Sequence, residues 1–455
     1  MTDLLDTVVR WTEQDAVEFE RTLTPESLSA IMRATWTWDD RALRRDLSQL
    51  LVDLAAAHTV EMTLPRAVTV PVHRVLRWRN LERAGRFLSH VLGPRLIADT
   101  GQPNTFDLAE AVLAVPSLRL PAAEQRAALL AVAEYVLDGS AAPDPAPPTH
   151  PGTAIPVAQG GVGGGPCEVG AVMEGLGADP APSPFLASSV LAPYALLAGR
   201  DVDANTELLA AIAAGTVTAT LAAAERGGSW DPALVRCRAT PAGDGWIING
   251  HKAFVPDGTT ADVLLVVART TGGPTLFEVS AGAPGLATSP METLDPTRPL
   301  GELHLTDTPA RRIGADGAAG AMMSRVLDLA TLAVAAEQVG LAQSCLDIAI
   351  AHVGGGIGGA DRLAVAEMYL QVVSARAIAC GAADRAGRGD AGAAAAAVRA
   401  HIRCSQAATT VVNRALAVVG DSLPLQVRYR RAVASELLFG GPAVAHERLL
   451  ERLGI

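Results

Sequence analysis

The stretch Trp246-Ile-Ile-Asn-Gly-His-Lys-Ala-Phe-Val-Pro-Asp-Gly-Thr-Thr-Ala-Asp-Val-Leu-Leu-Val-Val-Ala-Arg269 constrains this chain more than any other. Apolar runs flank Asn249-Gly250, a polar bend follows Pro256, and Val263 to Ala268 is unbroken and apolar. Asn and Gly accept the positive φ that tight hairpin turns require. The pattern therefore predicts a short strand, a hairpin turn at Asn249-Gly250, a second strand, a bend and a third strand.

Helical patterns surround this module. Leu43, Leu47, Leu50, Leu51 and Leu54 recur at helical spacing within Asp39 to His58, with Asp39 and Asp40 placed to start the helix. Val60 to Val72 is β-branched and broken by Pro65 and Pro71, which predicts extended chain or a poor edge strand. His73 to Leu96 and Leu120 to Leu137 read as helices, the second opened by Pro121. Closely spaced prolines across 140–151 predict an extended spacer. Further helices are expected over Cys167 to Leu176, Pro184 to Leu197 and Thr206 to Ala224. Strands are expected from about 219 to 312, and long helices over Met322 to Val353, Asp361 to Ala386, Ala391 to Val419 and Leu425 to Leu438. Helices, then strands, then helices make an α+β architecture.

Length and composition bound the function. A chain of 455 residues exceeds one ordinary core, so two or three domains are expected. A net charge of -11 argues against a nucleic-acid partner, which needs a basic face. The five cysteines show no CxxC or metal-ligand spacing and fit a reducing compartment. No window of membrane-spanning length is free of charge, so a cytoplasmic protein with no membrane partner is expected. Thr153 to Gly165 is a glycine-rich loop leading into a helix, but no Lys-Ser/Thr follows, so a turn between packed helices is the commoner reading than a phosphate loop. Arg74, Arg77, Arg79, Arg83, Arg86 and Arg95 make one helix basic. Such a stripe suits either an acidic ligand or, more commonly, a solvated face.

Several motifs occur together in an order that resembles the acyl-CoA dehydrogenase family. They are Ile155-Pro-Val-Ala-Gln-Gly-Gly, Val172-Met-Glu-Gly-Leu-Gly, Pro182-Ser-Pro-Phe-Leu-Ala-Ser, the Trp246 module, Leu294-Asp-Pro-Thr-Arg-Pro-Leu-Gly-Glu-Leu, Ala335-Ala-Glu-Gln-Val-Gly, Tyr429-Arg-Arg-Ala and Leu438-Phe-Gly-Gly-Pro. The resemblance covers about residue 120 to the end. It implies an acyl-CoA dehydrogenase-like helical domain at 116–218, a middle β-barrel-like domain at 219–317 and a C-terminal helical bundle at 318–455. Residues 1–115 form an extra, mostly helical region outside it.

The resemblance also implies FAD, an acyl thioester on CoA or a carrier protein, and α,β-dehydrogenation. That reaction needs a carboxylate base, a flavin beside the substrate and a polarised thioester carbonyl. The family's base position matches Gly440, and the alternative position on the first long C-terminal helix matches Ala330 or Thr331, with Asp328 a turn away. Phe254, Val255 and Ser229 match flavin-contact positions, while Ala224 and Pro256 stand where hydroxyls are usual. The segments 351–361 and 417–424 lack the family's cross-subunit flavin residues. These losses imply a base-lacking subunit of a heteromeric FAD-dependent dehydrogenase. The other readings are an enzyme with a repositioned base at Glu225, Asp231 or Asp257, and a non-redox or scaffolding descendant that binds no FAD.

Overall fold

A computed structural model describes residues 13–63, 66–97, 105–139, 147–353 and 359–455. Among the described residues nine α-helices precede the strands: α1 Glu13–Thr22, α2 Pro25–Ala34, α3 Arg41–Thr63, α4 Arg66–Leu92, α5 Thr105–Ala114, α6 Ala122–Leu137, α7 Pro166–Ala178, α8 Ala192–Gly199 and α9 Val202–Ala213. The strands are β1 Ala219–Ala222, β2 Arg238–Ala242, β3 Gly245–Pro256, β4 Val263–Arg269, β5 Pro274–Ser280, β6 Leu286–Pro290 and β7 Leu300–Ile313. Five helices follow: α10 Ala319–Val353, α11 Gly359–Arg388, α12 Ala393–Val419, α13 Leu423–Leu437 and α14 Gly441–Leu453. The expected order of helices, strands and helices is therefore the observed one.

The chain divides into two compact units. The first comprises Met1–Pro143, Ala349–Ile378 and Ala443–Ile455, with a core that includes Leu28, Met32, Leu47, Leu50, Leu81, Leu88 and Leu450. Asp40 starts α3 as expected, accepting the N–H groups of Ala42 at 2.8 Å and Leu43 at 3.2 Å. The extended chain expected over Val60 to Val72 is instead helical through Thr63 and again from Arg66. Val72 and Val75 are buried, and that burial outweighs the one helical bond lost at Pro71. The basic helix α4 pairs Arg74 with Glu124, Arg77 with Glu20, Arg79 with Glu367 and Arg83 with Asp53. Its charge is largely answered within the unit.

The second unit comprises Asp144–Ile348 and Ala379–Pro442 and holds the sheet. Its strands pair in the order β1-β4-β2-β3-β7-β5, β5 also pairs with β4, and β6 lies against β7. The pairings thus close on themselves as a small barrel. The helix expected over Thr206 to Ala224 stops at Ala213, and Ala219–Ala222 is a strand. Gly215 at φ 69° ends the helix, and the Asp262 carboxylate accepts from both the N–H and hydroxyl of Thr218 at 2.8 Å, seating β1 beside β4. Helices α7 and α10 meet backbone to backbone, since a Cβ on Gly177 or Gly340 would strike a carbonyl of the facing helix.

The predicted hairpin at Asn249-Gly250 is corrected. Strand β3 runs unbroken through it, and the tight turn is Gly243-Asp244, between Ala242 and Gly245. Gly250, at φ 151°, is a bulge where the β3–β7 register shifts. A Cβ there would lie 2.7 to 2.9 Å from Cys237, so only glycine lets the strand pass. A second shift between Lys252 and Val255 places Phe254 at φ 55°.

Two described helices, α10 and residues 360–388 of α11, are long and apolar enough by length and composition to cross a membrane. In each, 67% of the apolar window is buried within the fold, as in core helices of globular proteins.

Candidate functional site

The bulged end of β3 gathers several of the residues singled out from sequence. The Phe254 N–H lies 3.2 Å from the Met291 sulfur, and its half-buried ring lies against Gly228. Val255 turns into the core and is 1% exposed. The Ser229 hydroxyl accepts from the Asp231 N–H at 3.1 Å, and Asp231 accepts from the Ala233 N–H at 2.8 Å, so both fold their own loop. Glu225 accepts from the N–H groups of Arg236 at 2.9 Å and Cys237 at 2.8 Å, and from Lys252 Nζ at 3.1 Å. Burial pushes the Glu225 pKa up, but these donors and the Lys252 charge outweigh it and leave it lowered. Lys252 is fully buried and donates also to the Ala223 carbonyl at 2.9 Å. Glu225 and Asp231 are thus engaged in structure.

Neither position that the resemblance implies for the base carries a carboxylate. Gly440, at φ 115°, follows Phe439, which is buried edge-on to Trp230 with ring centroids 4.9 Å apart. Ala330 is fully buried, and the buried Thr331 hydroxyl donates back to the Leu327 carbonyl at 2.7 Å. Asp328, one helical turn before Thr331, is half-buried, and its backbone carbonyl accepts from the same hydroxyl at 3.0 Å.

Three of the sequence motifs meet in a buried charge cluster. Asp295 and Arg298 come from the loop before β7, Glu337 from α10 and Arg431 from α13, and all four are buried. Arg298 pairs with Glu337, and Ser435 donates to Glu337 at 3.0 Å while accepting from Arg298 at 3.2 Å. Arg431 contacts Asp295 at 3.2 Å and Glu337 at 3.8 Å, and donates to the Thr297 carbonyl at 3.1 Å. Burial raises the Glu337 pKa, and the two arginines more than reverse it. Two positive and two negative charges so matched satisfy the requirement that buried charges be paired.

Asp257 borders this cluster in a cleft lined by Met173, Leu186, Pro256, Arg298, Glu337 and Arg431. Burial pushes its pKa up to about 6, against the pull of Arg298 and Arg431. The cleft has about 20 Å³ of water-accessible space, room for one water rather than an acyl chain. Sequence reading named Asp257 but missed the cluster beside it. Its one local signal is a glutamate embedded in the apolar run Leu332 to Val339.

The glycine-rich loop spends its N–H groups on itself. Val162, Gly163 and Gly164 donate to the carbonyls of Gly152, Ile155 and Thr153, and Glu168 covers the Gly165 N–H at 2.8 Å. An acid at the helix start occupies the position an anion would take, which supports the turn reading over the phosphate one. For a flavin, this chain presents a ring at Phe254 and the Ser229 proton, with no side-chain hydroxyl at Ala224 or Pro256. Those residues do not fit a complete flavin site. Of the segment 351–361, which the resemblance implies for cross-subunit flavin contacts, residues 354–358 lie outside the described residues.

Comparison with known proteins follows the same lines. Residues 220–308 match the family described as acyl-CoA dehydrogenase, middle domain. Cyclohex-1-ene-1-carbonyl-CoA dehydrogenase of Geobacter metallireducens is 31% identical over 225 residues, 46% of this chain and 59% of that protein. The chain thus spans little more than half the length of that relative. Butyryl-CoA dehydrogenase from Megasphaera elsdenii superposes with a TM-score of 0.63 at 19% identity, over 74% of this chain and 99% of that one. The ChsE4-ChsE5 complex from Mycobacterium tuberculosis gives a TM-score of 0.60 at 21% identity, over 86% of this chain and 98% of that one. The chain therefore carries an acyl-CoA dehydrogenase middle domain at residues 220–308 and shares the fold of acyl-CoA dehydrogenases.

Proposed function

We propose that this chain is a base-lacking subunit of a heteromeric, FAD-dependent dehydrogenase that acts on an acyl thioester carried by CoA or a carrier protein. The observation that carries this reading is the pair of base positions, filled by Gly440 and by Ala330 and Thr331. Loss of a general base commonly costs a factor of about 10² to 10⁴ in rate. A partner that supplies the base and most of the flavin site accounts for that loss while the fold is kept. The ChsE4-ChsE5 assembly, a complex of two named chains on this fold, supports the reading by analogy. Bound FAD would supply the hydride acceptor. This chain's own contribution is the Phe254 ring and the rigid barrel that aims it.

The test is expression of the chain alone and with each neighbouring dehydrogenase-like chain encoded beside it. Yellow, acyl-CoA-oxidising protein from the pair, with the single chain colourless, is the expected result. A colourless, inactive pair removes this reading in favour of a non-redox descendant. A yellow and active single chain removes it in favour of a repositioned base, for which Asp257 has the elevated pKa that base chemistry uses.

A further inference from the structure

We propose that His251, Glu302 and His304 form a binding site for a divalent transition-metal ion of the zinc class on the outside of the barrel. His251 on β3 and His304 on β7 are direct cross-strand partners. Glu302 lies two residues before His304, and alternation along a strand puts both on one face. The Glu302 carboxylate is 3.6 Å from His251 Nε2 and 3.9 Å from His304 Nε2, and the three ligand atoms all lie within 4.8 Å of one another. A tetrahedral zinc ion with bonds near 2.0–2.1 Å holds its ligand atoms about 3.4 Å apart. Side-chain rotations of less than about 1 Å close the set around an ion of that size.

The reading without a metal leaves a polar atom unanswered. His251 Nε2 is sealed from solvent and has no hydrogen-bond partner, because its contact with Glu302 exceeds hydrogen-bond length. The rings of His251 and His304 meet edge to face with centroids 4.5 Å apart, which directs two imidazole nitrogens to one place rather than stacking them away from it. Imidazole pairs with one carboxylate select zinc, nickel or copper over magnesium or calcium, which prefer all-oxygen sets. His304 is half exposed, so the remaining coordination positions are open to water or to a ligand. The ion would tie β3 to β7 between the two register shifts, three residues before Phe254. None of this depends on the reading proposed above for the reaction.

The experiment uses the full chain, stripped with a chelator and titrated with Zn²⁺ by calorimetry and with Co²⁺ by visible absorption. One ion per chain is expected, with a cobalt d–d band and a thermal midpoint that rises with Zn²⁺ concentration. His304→Ala and His251→Ala should each weaken binding at least tenfold, and His304→Cys should restore it with a new thiolate-to-cobalt band. Circular dichroism checks that each variant is folded, and the half-exposed His304 makes that variant the safer of the two. Replacing the exposed Cys167 and Cys380 by serine should leave the titration unchanged. Absence of saturable binding, binding that survives both histidine variants, or binding lost with the two cysteines would each overturn the site.

Discussion

The charge cluster at Asp295, Arg298, Glu337 and Arg431 and the bulged end of β3 belong to the same unit and are both marked by sequence motifs, yet they are built on opposite terms. In the cluster, each carboxylate meets an arginine. At the end of β3, Phe254 and Asp257 hold positive φ, and the hydroxyls expected around a flavin are replaced by Ala224 and Pro256. Motifs such as Leu294 to Leu303, Ala335 to Gly340 and Tyr429 to Ala432 serve the scaffold, since they supply paired charges that fasten the barrel to its helices. The positions that the resemblance assigns to the base, Gly440 and Ala330 or Thr331, carry no carboxylate. A strong family resemblance in this chain therefore certifies architecture before activity.

The comparison breaks most sharply at Glu337. Glu337→Gln leaves Arg298 and Arg431 buried with half their countercharge, and loss of one partner from a buried pair costs about 3–5 kcal/mol. Guanidinium chloride unfolding followed by circular dichroism measures it, and a loss below about 1 kcal/mol, the range of exposed pairs, would make the cluster a solvated one. At the other region, Gly250→Ala drives a methyl group into Cys237 and strains a backbone at φ 151°. The expected cost is about 1–3 kcal/mol. Adding Cys237→Ala should recover only the part due to the clash with the sulfur, because the Cys237 backbone and Cβ also stand in the way.

Much of this was legible in the sequence, and the failures share a cause. The leucine spacing at Leu43 to Leu54 and the long apolar-faced C-terminal segments report helices because their period is local. Thr206 to Ala224 read as helix throughout because alanine favours helix, but Ala219–Ala222 is fixed as a strand by Val263 to Val266, more than forty residues away. Asn249-Gly250 carries the right residues for a hairpin, and Cys237, just ahead of β2, decides that it is a bulge. The candidate site was legible as a set of missing groups at Gly440, Ala330 and Thr331. The charge cluster was not, since the partners Glu337 and Arg431 stand in separate helices with no periodicity linking them. Nor was the trio of His251, Glu302 and His304, which only the register of β3 on β7 brings together.

Asp257 joins the two regions, at the end of β3 and on the edge of the cluster, and it gives the smallest and most discriminating effect. Burial raises its pKa from 3.8 to about 6. Between those pH values the folded chain keeps a proton that the unfolded chain has released, so this contribution is full below pH 3.8 and lost as pH rises through 6. Asp257→Asn removes the dependence and suits φ 51°, a conformation asparagine tolerates well. A shift of about two units corresponds to at most about 3 kcal/mol, and partial solvation reduces the expected gain to about 1–2 kcal/mol at pH 7. The gain should fade towards zero near pH 4 in unfolding curves taken across that range. A variant less stable than the parent at pH 7 would mean that Arg298 and Arg431 hold the carboxylate as a working fifth charge of the cluster. The boundary between the two regions would then lie beyond Asp257, nearer to Phe254.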